Sequence, residues 1–157
     1  MNGRSLRASI NQNEVGTLQE VGGLWSFQYT DAWLRNPRSF ALSPHLPLAA
    51  AALLDGASQR PVQWYFDNLL PEEGQRVLLA EDARLDAADA FGLLAWYGAE
   101  SAGAVTLLPP DAGHQANEPL RRLPDDALDA RIGQLPRVPL TQAAIKRMSL
   151  AGAQHKL

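Results

Sequence analysis

Apolar and polar residues alternate along the first thirty positions of the chain. Leu6, Ala8 and Ile10 alternate with polar neighbours, and similar short runs occupy residues 15–18 and 24–29. Polar residues at 11–14 and a glycine pair at 22–23 separate these runs, as turns do. The pattern therefore predicts a three-stranded antiparallel meander.

From residue 62 the apolar pattern takes the period of helices. Val62, Phe66, Leu69 and Leu70 fall on one helical face. A second helix is predicted to begin at Pro71, since proline is tolerated in the first turn of a helix. The first long helix and the second thus meet near residue 70.

Further elements follow this helical region. Asp86 is the predicted N-cap of another helix, which Gly98 would end. Residues 104–108 form a short apolar run closed by two prolines, which predicts a strand, and residues 125–135 predict an amphipathic helix. Strands first, helices next and little alternation between them indicate an α+β fold.

Composition restricts the class of protein. The chain has 157 residues, 46% of them hydrophobic and 20% charged, which suits one globular domain. It has no cysteine, so disulfides and thiolate metal sites are excluded. No apolar stretch approaches the roughly 20 residues of a membrane span, and the N-terminus lacks the apolar core of a secretory signal. A soluble, cytoplasmic protein without membrane contact is expected.

Charge is unevenly distributed along the chain. Residues 61–136 carry thirteen acids and five arginines, whereas residues 137–157 carry four basic residues and no acid. An acid-free tail can bind phosphate, although such a run is more often a solvated segment. The net charge of −3 argues against an autonomous nucleic-acid binder.

Side chains able to do chemistry are scarce. The three histidines, His45, His114 and His155, lack the spacing of metal ligands, so no metal site is expected. Asp67 is compatible with a catalytic acid, but a hydrogen-bonding role at a helix end is the simpler interpretation. The four tryptophans are compatible with a base-stacking platform, yet their spread along the sequence favours core packing. They are Trp25, Trp33, Trp64 and Trp96.

Residues 149–156 combine small side chains with a basic group. Small residues let backbone N–H groups approach an anion, and successive N–H groups in a turn form a concave phosphate site. Lys156 would add a compact positive charge. With one glycine and no Walker pattern, the spacing alone is a weak signal of phosphate binding.

Three strings in the chain are distinctive: residues 66–72 (Phe-Asp-Asn-Leu-Leu-Pro-Glu), 103–109 (Gly-Ala-Val-Thr-Leu-Leu-Pro) and 149–156 (Ser-Leu-Ala-Gly-Ala-Gln-His-Lys). With them the chain resembles HipA-like serine/threonine kinases, the toxins of HipBA-type toxin–antitoxin modules. Their order and spacing are those of this family. The opening residues 15–18 and the segment 42–47 are also similar to the family's N-terminal subdomain.

The resemblance implies a division of the chain and a site. Residues 1–110 would be the accessory subdomain, 111–136 a linker and helix, and 137–157 the start of a kinase-like N-lobe. In the family, the segment matching 151–156 is the glycine-containing loop over the ATP phosphates, and the preceding serine can be autophosphorylated. The implied ATP-binding residues are Ala151, Gly152, Ala153, Gln154, His155 and Lys156, and the implied regulatory site is Ser149. His155 replaces the acid expected in that loop.

The resemblance also implies what the chain cannot do alone. The lysine, catalytic aspartate and Mg²⁺ ligands of the family lie beyond the point that matches Leu157, so no catalytic residue is assigned here and ATP with Mg²⁺ belongs to the complete kinase. Implied partners are the rest of the kinase core, a HipB-like DNA-binding antitoxin and a protein substrate such as an aminoacyl-tRNA synthetase. Two alternatives stay open: a free-standing module that binds and regulates a separate kinase core, or a structural domain whose tail has no role.

Overall fold

The computed structural model describes residues 3–100, 103–112 and 124–134. Its first three strands are β1 (Arg4–Ile10), β2 (Asn13–Val21) and β3 (Leu24–Tyr29), each antiparallel to the next. The two central residues of each tight turn have positive φ, which matches the twist of a two-residue hairpin. The predicted meander is confirmed.

Two shorter strands complete a five-stranded sheet in the order β4-β3-β2-β1-β5. β5 (Val105–Leu108) was predicted and pairs antiparallel with β1. β4 (Leu53–Leu54) pairs with Ser26 and Phe27 of β3. It was not predicted, because two residues are too few to show a periodic pattern.

Five α-helices lie among the described residues. They are α1 (Asp31–Arg35), α2 (Pro61–Asp67), α3 (Glu73–Ala83), α4 (Ala90–Tyr97) and α5 (Asp125–Gln134), and a 3-10 turn (Gly98–Glu100) follows α4. None of these helices is long and apolar enough to cross a membrane. Together with the antiparallel sheet they make the fold α+β, as predicted.

Two predicted helix starts are wrong. Pro71 lies outside α3, which begins at Glu73 after Glu72 in the N-cap position. Asp86 is not the cap of α4, because its carboxyl oxygen accepts a bond from the amide of Ala88 within the preceding turn. Asp89 is the actual cap, and its side chain accepts from the amide of Gly92 at 3.0 Å.

The core lies between the sheet and helices α2 and α4. Phe27 of β3 meets Phe66 of α2 with ring centroids 5.3 Å apart, and Trp25 meets Phe91 of α4 edge-on at 5.1 Å. Most strand residues on this inner face are buried and apolar. The outer face carries hydroxyl and amide side chains, Arg7 and a few exposed apolar side chains: Ser5, Ser9, Thr17, Gln19, Ser26, Gln28 and Thr106, with Val21, Leu24 and Leu54.

Candidate functional site

The motif turn, residues 66–72, connects α2 to α3 and contains the first of the family strings. Phe66 anchors it in the core, while the amides of Leu69 and Leu70 donate to the carbonyls of Phe66 and Asp67 at 3.1 and 2.9 Å. Leu70 is buried as well, whereas Asn68 is exposed. The turn is thus held by its apolar residues, and Asn68 and Glu72 are exposed to solvent.

Asp67 is paired with a cation. Nη1 of Arg76 lies 2.8 Å from Oδ1 of Asp67, and the two form an ion pair whose geometry is not that of a hydrogen bond. Nε of Arg76 donates to the carbonyl of Ala87 at 2.7 Å. Arg76 therefore joins the end of α2 to α3 and to the loop before α4. Asp67 does lie at a helix end, as expected, but its partner is a side chain on the next helix and its role is structural.

The first two family strings are neighbours in space. A Cβ added at Gly103 would lie 3.9 Å from Cδ2 of Leu69 in the motif turn. Two residues later β5 begins and pairs with β1. We call the motif turn together with residues 103–108 the motif junction.

The chemistry available at the motif junction is limited. Asp67 is already paired with Arg76, and no group of three His, Cys, Asp or Glu that could hold a metal occurs within the described ranges. His45, the one histidine in those ranges, is exposed in a loop far along the chain from the junction. The contacts that the junction does make are those of packing, with Phe66 and Leu70 buried.

Two polar contacts that organise the domain have no sequence signature. Asp55 is buried, and its carboxyl oxygens accept from the amides of Val62 and Gln63 at 2.8 and 3.0 Å. It thereby caps α2 from well upstream of the N-cap position, Arg60, whose side chain makes no cap bond. Capping patterns in sequence cover only the residues beside the helix start, so this cap could not be found from them.

Arg4 is the second such contact. Its guanidinium lies 2.9 Å from Glu20, 2.7 Å from Asp89 and 4.9 Å from the ring centroid of Phe91. Desolvation acts to lower the pKa of Arg4, but the bonds to Asp89 and Glu20 outweigh it and raise that pKa above its usual value. The cluster joins β1 and β2 to the start of α4, and its members are far apart in sequence.

Two groups near the motif turn have shifted pKa values. Burial raises the pKa of Tyr29, although the bond from the amide of Leu42 acts in the opposite direction. Burial also raises the pKa of Tyr65, and the nearby Tyr29 adds to the shift. Both phenols are therefore harder to ionise than in water, which suits packing groups and gives neither the features of a catalytic base.

The residues implied by the family resemblance lie elsewhere. Ser149 and the loop Ala151 to Lys156 fall outside the described residues, as do His114 and His155. The tryptophans divide in two: Trp25 and Trp33 are buried as predicted. The prediction of core packing is wrong for Trp64 and Trp96. Their side chains are 55% and 42% exposed, because they lie on the faces of α2 and α4 that point away from the core.

Comparison with known proteins identifies the domain around the motif junction. The sequence model of the family described as "HipA N-terminal domain" matches residues 6–108. This match covers about two thirds of the chain and includes the motif junction. The chain belongs to the HipA N-terminal domain family. The boundaries of this match follow the structure closely, since they run from β1 to the last residue of β5.

A relative and a solved structure extend the similarity. The protein named "Putative kinase Y4mE" from Sinorhizobium fredii is 35% identical over 146 residues, which are 88% of this chain and 34% of that protein. HipA of Shewanella oneidensis MR-1, solved with HipB and operator DNA, has a TM-score of 0.69 and 24% identity over 94% of this chain and 33% of that one. The chain spans about a third of the length of each, and the second similarity shows the fold alone.

Proposed function

We propose that the chain is the N-terminal part of a HipA-like serine/threonine kinase toxin. The observation that carries the proposal is the family domain at residues 6–108, followed in the same chain by the string at 149–156 in the order of the family. The relative named as a kinase is similar to the chain beyond the family domain as well, over 146 residues.

Residues 151–156 would bind the ATP phosphates. Alanine and glycine side chains leave backbone N–H groups free to approach phosphate oxygens, and Lys156 supplies a positive charge. Ser149 lies just before this loop. A phosphate on it would add about −1.5 to −2 charges, which repel the nucleotide phosphates, so autophosphorylation would silence the kinase.

Phosphoryl transfer would require the rest of the kinase. The residues that pair with the α- and β-phosphates, accept the substrate proton and hold Mg²⁺ are not assigned in this chain, and without them positioning and charge stabilisation are missing. ATP and Mg²⁺ are accordingly cofactors of the complete kinase, and the 157-residue chain alone is inactive.

The partners follow from the same proposal. The structural neighbour was solved with HipB and operator DNA, which supports a HipB-like antitoxin as a partner here. DNA contact would then be made by the antitoxin, since this chain is acidic overall. The substrate class proposed is a translation protein such as an aminoacyl-tRNA synthetase, in the cytoplasm.

A second candidate function is a free-standing module that binds and restrains a separate HipA-like kinase core. The core that residues 6–107 form among themselves supports it, because these residues are buried without a kinase core. The reading frame after codon 157 separates the two: kinase motifs in frame support the first, and a stop codon followed by a kinase gene supports the second.

Nucleotide binding tests the proposal directly. In the protein encoded by the whole reading frame, Lys156→Met should weaken ATP binding about tenfold, since one charged contact to phosphate is lost. Lys146→Met is the matched control and should change it less than about twofold. Radiolabelled ATP with Mg²⁺ should leave no phosphate on Ser149 when the 157-residue chain is used alone.

Two results would contradict the proposal. If the two lysine variants and the unmodified protein bound ATP with equal affinity, residues 151–156 would not be the phosphate site. Labelling of Ser149 in the isolated 157-residue chain would show that catalysis needs nothing beyond it.

A further inference from the structure

Immediately after β5 the chain reverses its direction. Residues 109–112 form a turn in which the amide of Ala112 donates to the carbonyl of Pro109 at 3.0 Å. Pro110 occupies the second position of this turn, where its fixed φ is favourable. We call residues 109–112 the exit turn, because they follow the family domain that ends at residue 108.

Arg7 holds the exit turn from the outer face of the sheet. Its Nη2 donates to the carbonyl of Ala112 at 2.7 Å, a contact between residues 105 positions apart. Arg7 lies on β1 between the cross-strand neighbours Thr17 of β2 and Leu108 of β5. The carbonyl of Ala112 therefore lies close to β1, the strand that pairs with β5.

The environment of Arg7 differs from that of Arg4 and Arg76, although Arg60 also donates to a backbone carbonyl, that of Gly23 at 3.1 Å. Arg4 and Arg76 pair with carboxylates, whereas the described residues provide Arg7 with a backbone carbonyl and no ion pair. Its Nε is buried and has no acceptor within the described part of the chain. Partial burial of a cation costs free energy unless the cation is hydrogen-bonded, so the bond to Ala112 offsets part of that cost.

We propose that Arg7 is a clamp that fixes the path by which the chain leaves the HipA N-terminal domain. With the clamp closed, the polypeptide after residue 112 starts from the outer face near β1 and does not continue along the line of β5. The orientation of a following kinase region relative to this domain would then depend on Arg7, a consequence that rests on the proposed function. The clamp itself does not.

The exit turn is suited to a sharp measurement. Because two of its four residues are prolines, it contains only the backbone N–H groups of Asp111 and Ala112. Hydrogen exchange of the Ala112 amide, measured by NMR on the 157-residue chain, therefore reports on this turn alone. The amides of Leu6 and Leu18, in the paired strands β1 and β2, report on the fold.

Arg7→Met removes the N–H donors but keeps an unbranched apolar stem over the strand. We expect it to speed exchange at Ala112 about tenfold while Leu6 and Leu18 change less than about twofold. Arg7→Lys retains one charged donor and should give an intermediate rate. Arg38→Met is the control, since Arg38 is exposed and its side chain makes no hydrogen bond or ion pair with the described residues.

Each other result overturns the clamp. Unchanged exchange at Ala112 in a folded Arg7→Met variant would mean that the turn holds itself. Equal acceleration at Ala112, Leu6 and Leu18 would make Arg7 a residue of the fold and not of the exit path. If Arg38→Met accelerated exchange at Ala112 as much as Arg7→Met, the acceleration would come from losing a positive charge and not from losing the bond to Ala112. None of these readouts depends on kinase activity, so the clamp and the proposed function can fail separately.

Discussion

Gly98 lies between α4 and β5 at a separation that leaves no room for a side chain. A Cβ at this position would lie 2.7 Å from the Cβ of Leu107 and 3.1 Å from its carbonyl oxygen. The φ of Gly98 is −65°, which any residue can adopt. Sequence indicates a glycine at a helix end, but the structure shows that close packing on β5, and not a left-handed cap, is what requires it.

Gly98→Ala should lower the free energy of unfolding by about 1–3 kcal/mol, because α4 or β5 must shift to admit the methyl group. Gly74→Ala is its matched control: Gly74 lies in α3 with nothing within 4 Å of an added Cβ, so the same change should stabilise by about 0.5–1 kcal/mol. Urea unfolding followed by circular dichroism measures both. Equal effects of the two substitutions would mean that the close contact at Gly98 is relieved at no cost.

At the scale of elements, α2 depends on a cap that comes from the strand before it. Asp55 follows β4 directly, and its amide donates to the carbonyl of Trp25 in β3 at 2.9 Å. Its carboxyl group then accepts from the first two free amides of α2, since Pro61 has none. One residue thus fixes the start of α2 against the edge of the sheet, and with it the position of the motif turn.

Asp55→Ala should cost about 2–3 kcal/mol of unfolding free energy, because two helix amides would be left without an acceptor in a buried place. Asp55→Asn keeps one acceptor oxygen and should cost about half as much. Asp31→Ala, which removes an exposed carboxylate 4.0 Å from Arg35, should stay within about 0.5 kcal/mol. If Asp55→Ala in a urea titration resembled Asp31→Ala, the cap would not be what holds α2.

Regular elements were predictable from sequence because their apolar residues repeat. The meander, β5 and the helical character of residues 62–97 follow from periods of two and 3.6 residues. Helix starts were less accurate: Asp86 and Asp89 lie three residues apart and both suit a cap, and local sequence does not distinguish them. Asp55 lies outside the positions that capping patterns cover, and Arg7 bonds a residue 105 positions away, so no local pattern indicates either contact. The predicted phosphate loop rests on family resemblance and stays a prediction.

On the scale of the whole molecule, the two faces of the sheet have different tasks. The inner face and helices α2 and α4 enclose the core, and the motif turn leads from that core to α3. The outer face receives the exit turn through Arg7. The core of the family domain therefore lies on one side of the sheet, and Arg7 holds the exit turn on the other.

Two tyrosines with raised pKa values make the stability of the whole domain sensitive to alkali. Tyr29 is 2% exposed, and its hydroxyl donates to the carbonyl of Leu46 at 2.6 Å and accepts from the amide of Leu42. Burial raises the pKa of Tyr29 and of Tyr65 above the unfolded value near 10. As pH rises, the unfolded chain therefore loses these protons before the folded domain does. The free energy of unfolding keeps its full value below about pH 10 and decreases as pH rises through the raised pKa values.

Tyr65→Phe removes one of these two groups and should make that fall shallower, by at most about 1.4 kcal/mol per pH unit. The chain has two lysines and one further tyrosine, so few other side chains titrate in this window. Trp64→Phe, at the exposed neighbouring position, should leave the slope unchanged. Urea unfolding at pH 8, 10 and 11 measures it. A slope in Tyr65→Phe equal to that of the unmodified chain would mean that Tyr65 ionises as easily in the folded domain as in water.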